Sequence, residues 1–293
     1  MTERPTPESL RDSLVSDLRL QATDDPNRFV GSNVLQPFGR VFGGQVLGQS
    51  LMAAGRTVEA DRAPHSLHAY FLRPGDPEVP IEFSVERLRD GRSFSARRTH
   101  AMQHGRPILS MIASFQLPDT GVEHSDPMPA APVPQDVPTT AEVLAGIDHP
   151  AAAYWSHERP MDIRNVDAPI FLRPAEDRSP DSAVWLRTTA ALPDEPLLHA
   201  ATLAFASDYS LLEAVLRRHG VAWSDPRLKI ASLDHAMWFH RPARADEWLL
   251  YTHHSPSASN ARGLVQGSMF DQAGRLVATV AQEGMVRIPA RQD

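Results

Sequence analysis

Cysteine is absent from this chain of 293 residues. Disulfides, a thiol nucleophile and thiolate metal sites are therefore excluded, and the composition fits a reducing, cytoplasmic compartment. Lysine is almost absent too: Lys229 is the single one among 29 basic residues, so arginine makes nearly every basic contact. No apolar run approaches the roughly 18 residues of a membrane-spanning helix. Met1–Leu10 is polar and lacks a signal-peptide pattern, and Pro289–Asp293 carries no peroxisomal or retention signal. The net charge of −7 disfavours general binding to nucleic acid. Several catalytic signatures are missing as well. There is no G-x-G-x-x-G, no Walker loop and no H-E-x-x-H. Gly91-Arg92-Ser93-Phe94-Ser95 fails the nucleophile elbow at its last position. His65 and His68, His235 and His240, and His253 and His254 are oddly spaced on strand-like runs. The members of each pair then point to opposite faces, which makes them poor metal ligands, and no metal or cofactor is expected.

What is present is a long internal repeat. Pro64–Gln116 reads as a run ending Tyr70-Phe71-Leu72-Arg73-Pro74, then Ile81–Leu88, Ser93–Gln103 and Ile108–Gln116, with turns at Asp90-Gly91 and His104-Gly105. Ser232–Arg287 repeats the order: a run ending Trp238-Phe239-His240-Arg241-Pro242, then Trp248–His253, Ala261–Phe270 and Arg275–Arg287. The two Arg-Pro pairs lie 168 residues apart. That spacing indicates two copies of one α+β unit rather than a short-period solenoid. The 42% hydrophobic content supplies a substantial core.

Helices complete each copy. Ser9–Gln21 reads as a first helix with Ser9 as N-cap. Phe42–Arg56, with Gly43-Gly44 near its start, reads as a buried helix packed closely on a sheet, because small residues let backbones approach. Leu117–Pro150 holds seven prolines and few large apolar residues, and reads as an extended, solvated linker. Asp162–Arg173 and Ala183–Leu192 are strand candidates. Asp194-Glu195-Pro196 is a helix start. A second helical pattern runs from Leu211 to Gly220, with Asp208 at its start, and holds the place of Gly44–Arg56 in the first copy. The expected division is 1–116, a Pro-rich linker over 117–160, and 161–293.

Aligning the copies isolates three polar residues present in the second only. Asp208 falls opposite Gly44, Ser232 opposite Pro64, and Gln282 opposite Ala113. A carboxylate, a hydroxyl and an amide converging on a sheet wrapped around a helix would suit hydrolysis of an activated ester such as a thioester. Water deprotonated by the carboxylate attacks directly, with no covalent nucleophile. Helix N-terminal N–H groups would favour the charged carboxylate and stabilise an oxyanion. Each residue also has a plainer reading. Asp208 sits at an ordinary N-cap position, Ser232 at a strand edge, and a buried Gln282 needs partners that are available structurally. Asp234, on the same strand face as Ser232, is a rival carboxylate that an arginine would neutralise.

Ordered motifs along the chain resemble the acyl-CoA thioesterase II family, the double-hotdog acyl-CoA thioesterases. They are Val41–Leu47, Ser66–Gly75, Gly91–Phe94, Ser207–Tyr209, Leu233–Pro242, Ser257–Gly263 and Gln282–Gly284. The resemblance runs from about Leu14 to Arg287. It implies a tandem hotdog, each half a long helix wrapped by a curved antiparallel sheet. It also implies hydrolysis of acyl-CoA to free acid and CoA without metal or cofactor, and assembly into dimers or larger oligomers. The family's Asp and Gln fall on Asp208 and Gln282, and Ser232 stands where the family has Thr, keeping the hydroxyl and losing a methyl. For the nucleotide end of CoA, Arg87, Arg89, Arg92, Arg97 and Arg98 around the Asp90-Gly91 turn form one candidate patch; His100 and Arg262 are others.

Two rival readings stand beside it. A hotdog hydratase or dehydratase commonly needs an Asp and a His close together, and no His comes after Asp208 at short helical spacing. A non-catalytic acyl-CoA scaffold would not need Asp208, Gln282 and a hydroxyl at once.

Overall fold

A computed structural model describes residues 4–33 and 39–289. The first helix, α1, spans Pro7–Leu18 rather than Ser9–Gln21. Thr6 is its N-cap, its Oγ1 accepting from Ser9 N–H at 3.1 Å. Pro7 then occupies the first turn, where a missing N–H costs nothing. Gln21 lies instead in the short strand β1 (Gln21–Ala22), which is followed by β2 (Arg28–Gly31), α2 (Gly43–Gly55), β3 (Ala63–Phe71), β4 (Ile81–Asp90), β5 (Phe94–Gln103) and β6 (Arg106–Gln116). Two one-turn helices, α3 (Thr140–Val143) and α4 (Pro150–Ala153), precede β7 (Met161–Asn165), β8 (Asp181–Thr188), α5 (Pro196–Ser207) and α6 (Glu213–His219). The chain ends in β9 (Lys229–Ser232), β10 (Asp234–Phe239), β11 (Leu249–Ser259), β12 (Arg262–Asp271) and β13 (Leu276–Arg287).

The described strands form one antiparallel sheet, ordered β1-β2-β4-β5-β6-β3-β10-β13-β12-β11-β8-β7, with β9 also pairing β13. The halves join where β3 meets β10, Tyr70 opposite Asp234 and Ser66 opposite Trp238. Turn chemistry agrees with the sequence: Gly105 has φ +69° between β5 and β6, a left-handed value that glycine adopts without strain.

The sheet's inner face holds the core. Every residue of α2 from Gly44 to Ala54 is buried, as an apolar helix enclosed on all sides requires. The closest approach at the α2 glycines is to another helix, not to a sheet. A Cβ on Gly44 would collide with Phe205 O, and one on Gly48 would stand 2.9 Å from Ala201 O. Thus α2 and α5 run in close backbone contact. The later helix α6 lies on β8, β11 and β12, and stops at Gly220 in the left-handed region with φ +61°.

Two strand expectations shorten. The Asp162–Arg173 run pairs only as far as Asn165, since Pro169 interrupts the rest of it and has no N–H for a ladder. The Ala183–Leu192 run pairs from Asp181 to Thr188. The Pro-rich segment is mostly irregular but pinned at intervals. Trp185 Nε1 donates to Pro132 O at 2.8 Å and Arg164 to Pro134 O at 2.8 Å, and Val137, Thr140 and Leu144 are buried.

Candidate active site

Asp208, Ser232 and Gln282 come from three elements and meet. Ser232 Oγ donates to Asp208 Oδ1 at 2.9 Å. Gln282 Nε2 donates to the same Oδ1 at 3.0 Å and to Ser232 Oγ at 3.0 Å. Both amide hydrogens are thereby committed, and Asp208 Oδ2 receives neither donor. Ser232 ends β9 opposite Gly284 of β13, two residues beyond Gln282, which brings hydroxyl and amide together.

The expected N-cap role of Asp208 is corrected. It caps the C-terminal end of α5, with α6 starting only at Glu213. A helix C-terminus disfavours an anion. The compensating N-terminus belongs to α2, in the other half of the chain: the backbone N–H of Gly44 favours the charged Asp208 carboxylate and lowers its pKa. Gly43 permits the approach, since a Cβ there would stand 2.6 Å from Asp208 Oδ2. Burial pushes the Asp208 carboxyl above its usual value, while His235 and the hydrogen bonds from Gln282, Ser232 and Gly44 pull it back.

His235 is the member that sequence reasoning missed. It is 1% exposed on β10. Its Nδ1 lies 2.5 Å from Gln282 Oε1, and its Nε2 lies 3.0 Å from Ser207 Oγ. An N–H at Nδ1 obliges Gln282 to present its carbonyl to His235 and its NH2 to Asp208 and Ser232. Burial lowers the imidazole's pKa, while Asp208 and Gln282 pull it back up. The signal was present in the register: Ala236 pairs with Ala281, and one step further sets His235 opposite Gln282. A histidine thus does arrive near Asp208, from another strand. Both its ring nitrogens are engaged and it lies off the cavity wall, so it is not placed to shuttle protons to a bound acyl group, as a hydratase requires.

The rival Asp234 is also accounted for. Its Oδ1 accepts from Glu283 N–H at 2.7 Å, so a strand amide and not an arginine takes it.

Asp208 and Ser232 line a cavity of about 760 Å³ walled by Phe42, Phe71, Trp155, Phe171 and Trp223 among others. The expected basic patch does not border it. Arg97 is buried on Thr57 and Asp90, Arg98 pairs with Glu86 at 3.0 Å, and Arg87 bonds Asn27 at 2.8 Å. Arg262 is likewise taken by Glu283 at 2.9 Å. The exposed arginines on the cavity rim are Arg40 and Arg73. Each gives an N–H to a backbone carbonyl, Ile230 O and Pro107 O, and among the described residues neither is paired with a carboxylate.

Comparison with known proteins identifies the family. The family described as Acyl-CoA thioesterase matches residues 157–285, and the Acyl-CoA thioesterase N-terminal domain matches 34–116. Acyl-CoA thioesterase 2 of Haemophilus influenzae is 37% identical over 94% of this chain and 97% of its own. The chain belongs to the acyl-CoA thioesterase family. Human acyl-coenzyme A thioesterase 8 is 38% identical over 96% of this chain and 91% of its own. Among solved structures, the acyl-CoA thioesterase II TesB2 of Mycobacterium marinum is 43% identical with a TM-score of 0.77, covering 94% of this chain and 99% of that one. A hot dog fold protein from Alicyclobacillus acidocaldarius, 21% identical, superposes with a TM-score of 0.78 over 95% of this chain and 99% of its own, a likeness of fold. Mixed helix and antiparallel sheet in this acyl-CoA thioesterase family member is thus a hotdog architecture.

Proposed function

We propose that the chain hydrolyses acyl-CoA thioesters to free acid and CoA with a water activated by Asp208. The observation that carries this reading is the convergence of two donors on one carboxylate oxygen, Oδ1, at the wall of an apolar cavity. Oδ2 is left to take a proton from water. Ser232 holds that water beside Asp208, and Gln282, held in turn by His235, fixes both. The water oxygen bonds to the thioester carbonyl carbon, and the developing oxyanion faces the N-terminus of α2. Collapse breaks the C–S bond and expels CoA as a thiolate, a good leaving group that recovers a proton from Asp208 or solvent. The acyl chain occupies the aromatic-lined cavity. The CoA phosphates lie at its rim, toward Arg40 and Arg73 and on toward Arg106 in the adjoining hollow.

The finer architecture in this proposal is a tandem hotdog, 1–116 and 161–293 with 117–160 between them. Its support is that α2 packs on β3–β6 and α6 on β8, β11 and β12. A cytoplasmic location and a role in fatty-acid metabolism belong to the same reading. So does assembly into dimers or tetramers: Ile112, Tyr70 and Trp238 are exposed at 41%, 63% and 36% on adjacent strands β6, β3 and β10.

The test is release of free CoA thiol from a chain-length series of acyl-CoAs by wild type and Asp208→Asn. The protein has no cysteine to interfere with a thiol reagent. Wild type turns over, and the variant, folded by circular dichroism, loses roughly two or more orders of magnitude. Tight binding without thiol release by wild type would replace the hydrolase with a binding scaffold.

A further inference from the structure

Away from Asp208 the cavity wall is largely apolar and aromatic, and a buried guanidinium interrupts it. Arg159 is 7% exposed and lines the cavity. It comes directly after a π-helical turn, Tyr154–Glu158, a rare local geometry that often marks functional sites. Its Nη2 donates to Thr140 Oγ1 at 3.1 Å, and that hydroxyl's own proton goes to Ile163 O at 2.7 Å. Thr140 is therefore a fixed acceptor that aims the guanidinium. The Nε of Arg159 has no partner among the described residues, and none of their carboxylates forms an ion pair with it.

The charged and titratable groups around it do not neutralise it. Asp162 exerts some attraction but is held by Arg164 at 3.2 Å and lies 3.9 Å from Arg187. The Tyr154 and Tyr209 hydroxyls bond each other at 3.3 Å, and the Tyr209 ring lies 5.8 Å from the guanidinium carbon. Glu213 is on the cavity wall too, but burial pushes its carboxyl up to about 7, so near neutral pH much of it is uncharged. A buried cation without a counter-ion is costly, and an incoming anion removes that cost.

We propose that Arg159 binds a carboxylate carried by the acyl group, so that the substrates include CoA thioesters of dicarboxylic acids. The planar fork of arginine matches a carboxylate with two parallel hydrogen bonds. The inner position of Arg159 suits a group on the acyl chain. The CoA phosphates are bulky and hydrated, and belong with Arg40 and Arg73 at the rim. This inference rests on the hydrolase reading for its chemistry, but not for its binding.

The experiment compares three thioesters at each chain length: the ω-carboxyacyl-CoA, its ω-methyl ester and the plain acyl-CoA. Thiol release gives kcat and KM for wild type, Arg159→Gln and Arg159→Lys, and calorimetry gives Kd for non-hydrolysable thioether analogues. At the preferred length, wild type favours the free carboxylate over its methyl ester by at least tenfold in kcat/KM. Arg159→Gln weakens carboxyacyl binding by roughly thirtyfold or more, as truncating one partner of a buried charge pair does. Plain acyl-CoA and the methyl ester lose several-fold less than the carboxyacyl ligand, and Arg159→Lys recovers part of the carboxylate-specific loss. Equal handling of acid and ester at every length, or equal weakening of all three ligands in Arg159→Gln, overturns the carboxylate site while leaving the hydrolase intact. Arg159-dependent binding of the carboxyacyl analogue without any thiol release would sustain the site and sink the hydrolase. If Arg159→Gln does not fold, the wild-type contrast between acid and ester decides alone.

Discussion

At the scale of single residues, Asp208 is held between opposing influences. Burial raises its pKa, and donors from Gln282, Ser232 and Gly44 lower it. The base must be ionised to accept a proton, so activity falls as pH drops through that raised pKa. The acid limb of kcat/KM should therefore lie above the ordinary aspartate range of about 3.9. Removing a donor raises the pKa further, so in Gln282→Ala the limb moves to higher pH and kcat falls, by roughly ten- to a hundredfold. A pH–rate profile of both proteins checks this. A loss of rate with the limb unmoved would mean that Gln282 only fills space. That these three residues belong together was legible in the sequence because the repeat supplied an internal comparison, with Gly44, Pro64 and Ala113 set against them, and the three side chains do meet. The support behind them was not legible. His235 looks like an ordinary strand histidine until β10 is set against β13, and that register depends on side chains meeting across the sheet.

At the scale of elements, the pieces are readable in the sequence and their partnerships are not. Proline at the start of α5 and glycine after α6 mark boundaries by local chemistry, and the helices begin and end there. The Gly43-Gly44 pair does mark a close approach, but to a helix and not to the sheet its pattern suggests. Whether a small residue faces strand or helix depends on how two helices cross, which no local pattern encodes. The same crossing decided which helix end serves Asp208. On α6, Glu213 illustrates a cost the sequence does not display. It is 4% exposed, with only long contacts to Asn165 Nδ2 at 3.4 Å and Trp223 Nε1 at 3.5 Å. Its carboxyl is raised from 4.5 to about 7, chiefly by burial. A folded-state pKa above the unfolded one means stability is fully present below about 4.5 and lost as pH rises through about 7. The full shift corresponds to about 3 kcal/mol. Glu213→Gln removes that titration. Relative to wild type, its thermal midpoint should rise progressively between pH 5 and pH 8, and scanning calorimetry at several pH values measures the gap. A gap independent of pH would show that Glu213 is not the group being titrated.

At the scale of the whole molecule, the two halves of the chain are joined by more than the Pro-rich segment between them. The sheet runs without a break through β3 and β10. The first half supplies the α2 N-terminus to Asp208, along with Phe42 and Phe71 in the cavity wall, while the second supplies the polar trio. The arrangement is complementary: glycine at the start of α2 leaves room for the carboxylate that caps the end of α5. Folding and activity should then fail together. Leu67 tests this because it lies at the junction and not on the cavity wall, fully buried on β3 between Ala113 of β6 and Met237 of β10. Leu67→Ala leaves a cavity at the junction and should cost about 2–5 kcal/mol. Urea titrations followed by far-ultraviolet circular dichroism and by thiol release should give one coincident transition in each protein, shifted to lower urea in the variant with its slope unchanged. If the halves were autonomous, the variant would melt in two steps, the first-half signal disappearing while the second half stayed folded. Activity would still vanish in the first step, because Asp208 would have lost the N–H of Gly44 and half of its acyl wall.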